Sequence, residues 1–465
     1  MQDRSFFKNF TNFIANLSKL NFLTITRYNI FMMIFIRKNI GWLTIIALAC
    51  APIARWLSLA PWQQRFNDWG AVMISLGQIT GLLGMVLFSI NLILSGRFKI
   101  LDRYFYGLNA VYSQHHNIGA LAFSLLLFHP LFLAVNYLRA SLYSAALFLL
   151  PSGNLPVTYG IIALGLMIIL MVLTFYVKLK YQRWKFSHKF LVAVFIFAVL
   201  HTTYITSDIS RDYPLRFYIL GLAIIGLLSG LYRAVLSKYF NANFSYRIKE
   251  VLPLSQDVIA ITMEPQGRQM EYGPGQFVFV SFKSSSVSSE IHPFSITSSP
   301  KEKELRLVVK ALGDYTGELK KLRPQDEASI EGPFGKFSYK NMAGKNQVWI
   351  AGGVGITPFA SMAKDLKAGE IKVDLYYCVG EKKEAVMLAE LDRINDVNKD
   401  FKIILWCSDE KGRISGQIIS DLSQGLADKD ILLCGPPVFM KSLRQQFLKL
   451  NIPKSHIHWE LFNLL

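Results

Sequence analysis

Two kinds of hydrophobic pattern divide the chain. Long apolar runs dominate residues 40–238, whereas 243–465 alternates short apolar runs with polar ones. A helix that crosses a bilayer needs about 20 consecutive, mostly apolar residues. Six segments meet that condition, at 39–59, 70–95, 112–137, 157–178, 187–206 and 215–236. From Phe244 to Tyr339 the runs VIAITME, GQFVFVSF and LRLVVKAL carry β-branched and aromatic residues between turn residues, which predicts a small antiparallel β-barrel. Beyond it, NQVWIAG, VDLYYCVG, FKIILWCSD and DILLCGPP alternate with helical runs, as a parallel α/β sheet requires. The predicted fold is multi-domain: a six-helix transmembrane bundle at 39–238, a barrel at 243–341 and an α/β domain at 345–465. Residues 1–38 alternate aromatic and basic positions without a small-residue cleavage site. They predict an amphipathic helix on the cytoplasmic face rather than a cleavable signal peptide.

Charge changes this picture by giving it a direction. The formal net charge is +18, which alone would suggest nucleic acid as a partner. The excess, however, lies beside the apolar spans, where basic residues report membrane orientation instead. Arg97, Lys99 and Arg103 follow the second span, and Lys178, Lys180, Arg183, Lys185 and Lys189 follow the fourth. The connections after the first and third spans carry only Arg65 against Asp68, and Arg139. The positive-inside rule then predicts an integral membrane protein with both termini in the cytoplasm and spans one, three and five running outward. The four cysteines, Cys50, Cys378, Cys407 and Cys434, show neither a disulfide framework nor zinc-ligand spacing.

Five of the eight histidines fall on two spans: His115, His116 and His129 on the third, His188 and His201 on the fifth. Ionisable groups inside a bilayer are costly, so function is their default explanation. His115 and His129 are 14 positions apart, close to four helical turns, so they share a face about 21 Å apart along the axis. His188 and His201 are 13 apart, about 20 Å. Two co-directional spans therefore match His115 with His188 near the inside and His129 with His201 near the outside. Two bis-histidine haems, one above the other, suit this arrangement. An offset of 13 is out of phase in an ideal helix, so the fifth span requires a distortion. His116 competes with His115, which helix phase favours. Nothing near these residues offers the four close ligands of a zinc site.

The strings HHNIGALAFSLLLFHP and YQRWKFSHKFLVAVFIFAVLH resemble the paired-histidine helices of the ferric reductase and NADPH oxidase superfamily. That resemblance implies two b-type haems ligated by His115, His129, His188 and His201. It extends through the soluble half. His292-Pro293-Phe294-Ser295-Ile296-Thr297, LVVKALGDYTGEL and Gly332-Pro333-Phe334-Gly335 are similar, in this order, to the flavin domain of ferredoxin–NADP reductase relatives. Phe294 and Ser295 are then expected against the isoalloxazine of FAD, His292, Pro293 and Thr297 along the motif that holds it, and Lys310, Gly313 and Thr316 near the pyrophosphate. Gly352-Gly353-Val354-Gly355-Ile356-Thr357-Pro358 joins a buried strand to a helix and looks like the family's nucleotide-binding turn, although it is not GxGxxG. Cys434-Gly435-Pro436-Pro437 resembles the strand-end motif whose cysteine faces the nicotinamide. Phe462, near the end of the chain, is the candidate aromatic that covers the flavin. Lys382, Lys383 or Arg413 would meet the 2′-phosphate of NADPH, while Glu381 would favour NADH; the expectation is NADPH.

The function so implied is electron transfer from cytoplasmic NAD(P)H through FAD and two haems to an acceptor across a bilayer, expected to be a bacterial inner membrane. The short outer connections favour oxygen, giving superoxide. A ferric chelate is the alternative acceptor, and a docked redox protein a third. A six-span transport protein with a nucleotide-binding domain is the non-redox rival. No D-x-[DN]-x-[DN]-G string is present, so calcium control within this chain is not expected. Arg55, near the outer end of the first span, is expected to snorkel to the interface, with a haem propionate or superoxide as its alternative partners.

Overall fold

The computed structural model describes residues 22–105, 107–177, 179, 181–236 and 244–460. The chain divides into two compact units, Met1–Tyr106 with Ala110–Leu236, and Ser237–Leu465 with Gly107–Asn109.

In the first unit six helices are long and apolar enough to cross a membrane: Asn39–Ser58, Trp69–Leu94, Leu108–Leu138, Leu155–Phe175, Gln182–Tyr204 and Tyr213–Val235. Trp69–Leu94 is the most buried of the six and forms the centre of the bundle. Small residues permit that centrality. A Cβ at Gly226 would stand 2.9 Å from the Ser89 carbonyl oxygen, so the second and sixth spans approach one another backbone to backbone. Hydroxyls inside this apolar region donate to their own helix, Thr80 Oγ1 to the Leu76 carbonyl at 2.7 Å and Ser89 Oγ to that of Met85 at 2.8 Å.

Two sequence expectations are corrected here. Residues 22–38 do not form a separate interfacial helix; they continue into the first span as one helix, Phe22–Ser58. Residues 1–21 of the expected amphipathic segment lie outside those described. The basic stretch after the fourth span is not simply a loop, because its second half forms a helix, Tyr181–Lys189, that leads into the fifth span. The required distortion is found at the junction. Phe190 (φ −67°, ψ −10°) separates Tyr181–Lys189 from Leu191–Tyr204, and its N–H donates to the Ser187 carbonyl at 3.0 Å in a tight turn. His188 and His201 thus sit on two helical pieces, each free to take its own phase.

The second unit begins with a six-stranded antiparallel sheet: β1 (Phe244–Pro253), β2 (Val258–Pro265), β3 (Phe277–Lys283), β4 (His292–Ser295), β5 (Leu305–Lys310) and β6 (Glu327–Phe334), in the order β4-β3-β6-β1-β2-β5. An isolated bridge between Ile296 and Leu307 brings the two edge strands together, so the sheet is a nearly closed barrel. In β6 every second residue is buried, Ala328, Ile330, Gly332 and Phe334, which is the period a strand imposes. Tyr246, Ile248, Ile261, Val278, Val280 and Phe282 complete the interior.

The α/β part has five parallel strands, β7 (Asn346–Gly352), β8 (Lys372–Val379), β9 (Phe401–Cys407), β10 (Asp430–Cys434) and β11 (Ile457–Glu460), in the order β11-β10-β7-β8-β9. Helices α1 (Thr357–Asp365), α2 (Leu388–Val397) and α3 (Pro437–Lys449) pack on it. The chain leaves β7 toward β8 and β9, then returns to its other side with β10. The carboxyl ends of β7 and β10 therefore form a topological switch point, where open α/β sheets bind ligands.

Candidate functional site

The histidines of spans three and five meet in two pairs of nearly identical geometry. His115 and His188 have ring centroids 6.3 Å apart at an interplanar angle of 67°. His129 and His201 stand 6.3 Å apart at 68°. Backbone carbonyls outside the motifs orient three of the four rings. His115 Nδ1 lies 3.0 Å from the Asn91 oxygen, His129 Nδ1 2.7 Å from that of Gly77, and His201 Nδ1 2.8 Å from that of Pro156. A hydrogen bond at Nδ1 leaves Nε2 as the nitrogen available to a ligand. The Nδ1 of His188 is buried without a hydrogen-bond partner, and its ring stacks on Trp184 at 5.3 Å. His116 is exposed, so His115 is the residue facing His188.

Two glycines that the sequence did not single out make room for the outward pair. A Cβ at Gly81 would lie 2.7 Å from His129 Nδ1, and one at Gly160 would lie 2.8 Å from His201 Nδ1. Their only trace in the sequence was being glycines inside apolar spans, where small residues usually serve helix packing.

The His129–His201 pair borders a cavity of about 570 Å³. Its walls are largely apolar, with Leu82, Met85, Phe88, Leu126, Phe148 and Met167 among them. Besides His129 and His201, its polar side chains include Gln78, Tyr137, Thr202, Thr206, Ser207 and Asp208. Trp56 also lines it, with its indole N–H donating to Gln78 Oε1 at 3.0 Å. Arg65, only 8% exposed, stacks its guanidinium 3.6 Å from the centre of the Trp56 ring and pairs with Asp208 at 3.1 Å. Arg55 does not reach this cluster. It forms a two-pronged pair with Asp212 at 2.7 and 3.1 Å and stays exposed; the buried arginine by the cavity is Arg65.

In the barrel, His292 stacks on Tyr315 at 4.0 Å and hydrogen-bonds through Nε2 with Glu290 at 2.9 Å. Burial pushes the Tyr315 phenol up, so it remains a neutral donor, here to the Glu290 carbonyl at 3.1 Å. Pro293 is half-buried, and Phe294 and Ser295 are buried, with Phe294 packed into the barrel interior. Thr297 is fully buried and its hydroxyl has no hydrogen-bond partner within the protein. Lys310 pairs with Asp257 at 3.2 Å. The Thr316 hydroxyl accepts from the N–H groups of Leu312 and Gly313 at 2.9 and 3.1 Å, which shapes the loop expected near a pyrophosphate.

The two glycine turns interlock at the switch point. A Cβ at Gly355 would stand 2.4 Å from the Cys434 carbonyl oxygen, and one at Gly435 3.0 Å from the Gly352 backbone. A Cβ at Gly352 would meet the Pro436 ring at 2.9 Å. Gly353 has φ +54°, a left-handed conformation that glycine adopts without strain, and nothing lies within 4 Å of where its Cβ would be. Its backbone is therefore open to a ligand, directly before α1, which starts with Thr357 and Pro358. Cys434 is fully buried; burial, reinforced by Glu460, holds its thiol well above the ordinary range. Lys383 pairs with Glu381 at 2.7 Å, while Arg413 is exposed. Phe462 lies outside the described residues.

Three family models match successive parts of the chain. Residues 80–199 match the ferric reductase like transmembrane component, 243–354 an FAD-binding domain and 349–445 the oxidoreductase NAD-binding domain. The chain belongs to the NADPH oxidase and ferric reductase superfamily. The chain thus joins a ferric reductase like transmembrane part to FAD-binding and oxidoreductase NAD-binding domains. Among curated relatives, a superoxide-generating NADPH oxidase heavy chain of Dictyostelium discoideum is 25% identical over 247 residues, 40% of this chain and 47% of that protein. NADPH oxidase 1 of Mus musculus is 31% identical over 134 residues, 28% and 22% of the two chains. A flavohemoprotein of Rhizobium meliloti (strain 1021) is 27% identical over 241 residues, 46% and 59%. The matches thus span no more than 59% of the length of these relatives.

Proposed function

We propose that this chain carries electrons from cytoplasmic NAD(P)H, by way of FAD and two b-type haems, to oxygen on the opposite side of a bacterial inner membrane, giving superoxide. The observation that carries the reading is the repeated histidine geometry. Two imidazoles facing one another across a single metal ion, each nitrogen about 2.0 Å from it, put their ring centroids roughly 6 Å apart. Both pairs stand at 6.3 Å. Each pair offers two imidazoles, a donor set that would suit a haem iron. When bound, flavin turns an electron pair into single electrons and bis-histidine haem passes them singly.

The protein's part is binding and orientation. His115 with His188, and His129 with His201, would hold the two haems. The buried, unpartnered Thr297 hydroxyl suits a polar group of FAD, because a buried hydroxyl left unpaired costs about 1–3 kcal/mol. Phe294, Ser295 and His292 would border the flavin, with Lys310, Gly313 and Thr316 by its phosphates. The open Gly353 backbone and the start of α1 would receive the nucleotide phosphates. Cys434 would contact the nicotinamide as a neutral thiol, and Phe462 would cover the flavin. Arg413 supplies the exposed charge for a 2′-phosphate, so the donor proposed is NADPH; Arg413→Ala should raise KM for NADPH and leave that for NADH within about twofold.

Oxygen is preferred to a ferric chelate because the connections at the His129–His201 end are short, which suits a small acceptor reaching the haem edge. The test is reconstitution in sealed vesicles with NADPH outside, on the side of the soluble domains. Oxygen consumption with superoxide trapped in the vesicle lumen is expected. Superoxide appearing only outside would refute transmembrane delivery, and turnover only with ferric chelates would reassign the acceptor.

A further inference from the structure

Residues 297–299, at the end of the flavin motif, are held from two sides while one buried polar group stays uncommitted. From the barrel, the Thr297 N–H donates to the Arg306 carbonyl at 2.8 Å, and the Tyr272 hydroxyl donates to the Ser299 carbonyl at 2.8 Å. From the α/β part, two side chains of α1 reach across. The Ser361 hydroxyl donates to the Ser298 carbonyl at 2.7 Å, and the Lys364 ammonium to the Thr297 carbonyl at 3.2 Å. Ser361 and Lys364 are three positions apart and so share one face of the helix. These bonds use the Thr297 backbone and leave its buried hydroxyl without a partner.

An ammonium on a flexible four-carbon stem points at one carbonyl only when something anchors it. Glu390, on α2, is that anchor. Its carboxylate lies 2.8 Å from Lys364 Nζ and accepts from Arg306 at 3.1 and 3.3 Å. The Lys364 side chain is only 13% exposed, so solvent screens this pairing little. The Lys301 side chain joins the same two parts differently, with its bonds on the carbonyl and carboxylate of Asp365 at 3.0 and 3.4 Å.

We propose that Lys364 is a positioning residue for FAD: its bond to the Thr297 carbonyl, steadied by Glu390, sets that residue so that its hydroxyl meets the cofactor. This rests on the FAD site proposed above and names what holds it in place. With Ser361 on the next carbonyl, two successive peptide units are pinned, and turning them is what would swing the Thr297 side chain away. The helix that pins them starts at the nucleotide turn, about 10 Å from Thr357 to Lys364 along its axis. The flavin segment and the nucleotide turn thus share one rigid reference. Loss of Lys364 strands no carboxylate, because Glu390 keeps Arg306.

The test follows FAD release from the full-length holoprotein in nanodiscs, diluted and read by the rise of free-flavin fluorescence. Lys364→Met keeps the apolar stem and removes the ammonium; release is expected to quicken by roughly tenfold. Lys364→Arg retains a cation and is expected to stay within about threefold of wild type. Lys301→Met, the control for joining the two parts in general, is expected to stay within about twofold. Thr297→Val should release FAD as fast as Lys364→Met does. The double variant should exceed the faster single one by no more than about threefold, because residues acting through one bond are not additive. Fully additive effects would overturn the proposal, as would wild-type release from Lys364→Met, or release from Lys364→Arg or Lys301→Met as fast as from Lys364→Met. If Lys364→Met does not fold, Thr297→Val decides, and wild-type release from it overturns the proposal. A wild type that binds no FAD refutes the FAD site and this role with it. FAD that is bound but not reduced by NADPH counts against the donor alone and leaves the release rates to judge Lys364.

Discussion

The inner and outer histidine pairs share one separation but not one construction. Both span 6.3 Å, yet the outer rings are each fixed twice, by a carbonyl at Nδ1 and by a glycine flush against the ring. The inner pair has one ring on a carbonyl and one, His188, held by stacking on Trp184. His188 also lies two residues before the Phe190 break, at the end of its helical piece. In the outer pair both rings are thus backed by a carbonyl and a glycine, while the inner pair has slack on one side. Ligand separation alone sets what can be held; the second layer of contacts sets how firmly.

The largest effect should come from removing an outer ligand. His201→Leu is expected to halve the haem bound per chain and to lower electron delivery to an outside acceptor by at least about a hundredfold, measured by haem extraction and vesicle assay. The inner haem should still be reduced by NADPH. Equal loss of both haems would show that the two sites are not separately assembled.

Gly81→Ala and Gly160→Ala come next. Each places a methyl under 3 Å from the ring of His129 or His201, which must then rotate or shift. Weaker outer-haem binding by roughly 10–100-fold is expected, with the inner haem retained. The inner counterpart, Gly119→Ala, meets only the amide end of Asn91 at 2.9 Å, a group able to swing away. Its effect should be smaller, and an equal effect would break the contrast between the sites.

Trp184→Ala probes the slack side directly. Losing the stack on His188 should cost about 0.5–1.5 kcal/mol and broaden the inner low-spin haem signal in electron paramagnetic resonance, leaving the outer signal sharp. Broadening of both signals would argue that the rings are coupled through the fifth span.

The smallest effect separates the membrane unit from the soluble one. Burial alone would raise the Asp365 carboxyl, but bonds from Lys340 and Tyr339 outweigh it and hold it below its ordinary value of 3.8. A carboxylate with a depressed folded-state pKa stabilises the fold above its unfolded value, and that contribution is lost as pH falls through the folded one. Glu390, lowered by Lys364 and Arg306 against the same burial, behaves alike. Below about pH 4 the soluble unit should therefore loosen. Melting followed by flavin fluorescence should fall with acid in that window, and Asp365→Asn should flatten the dependence.

Much of this was legible from residue types and order. The apolar runs gave the six spans, and the spacing of His115, His129, His188 and His201 gave two depths. The 13-residue offset even demanded a distortion, which is the break at Phe190. What stayed hidden depended on contacts between segments distant in sequence. Gly77, Asn91 and Pro156 act through carbonyls, which every residue carries, so composition marks none of them. Gly81 and Gly160 look like packing glycines until the opposing ring is known. Arg55 was more visible than Arg65 because it sits at a span end. Only the tertiary fold reveals that Asp212 occupies the first and that Trp56 and Asp208 enclose the second. In the soluble unit the glycine turns were readable as motifs, but their interlock across β7 and β10 was not, because it is a property of strand order.

The most direct test of the central claim is an anaerobic absorbance titration of the purified protein with NADPH, run beside His201→Leu. Two low-spin b-type haems reduced by NADPH in the wild type, and one in the variant, are predicted. A protein without haem, or one whose haem signal is unchanged by removing His201, would contradict the assignment of the paired histidines.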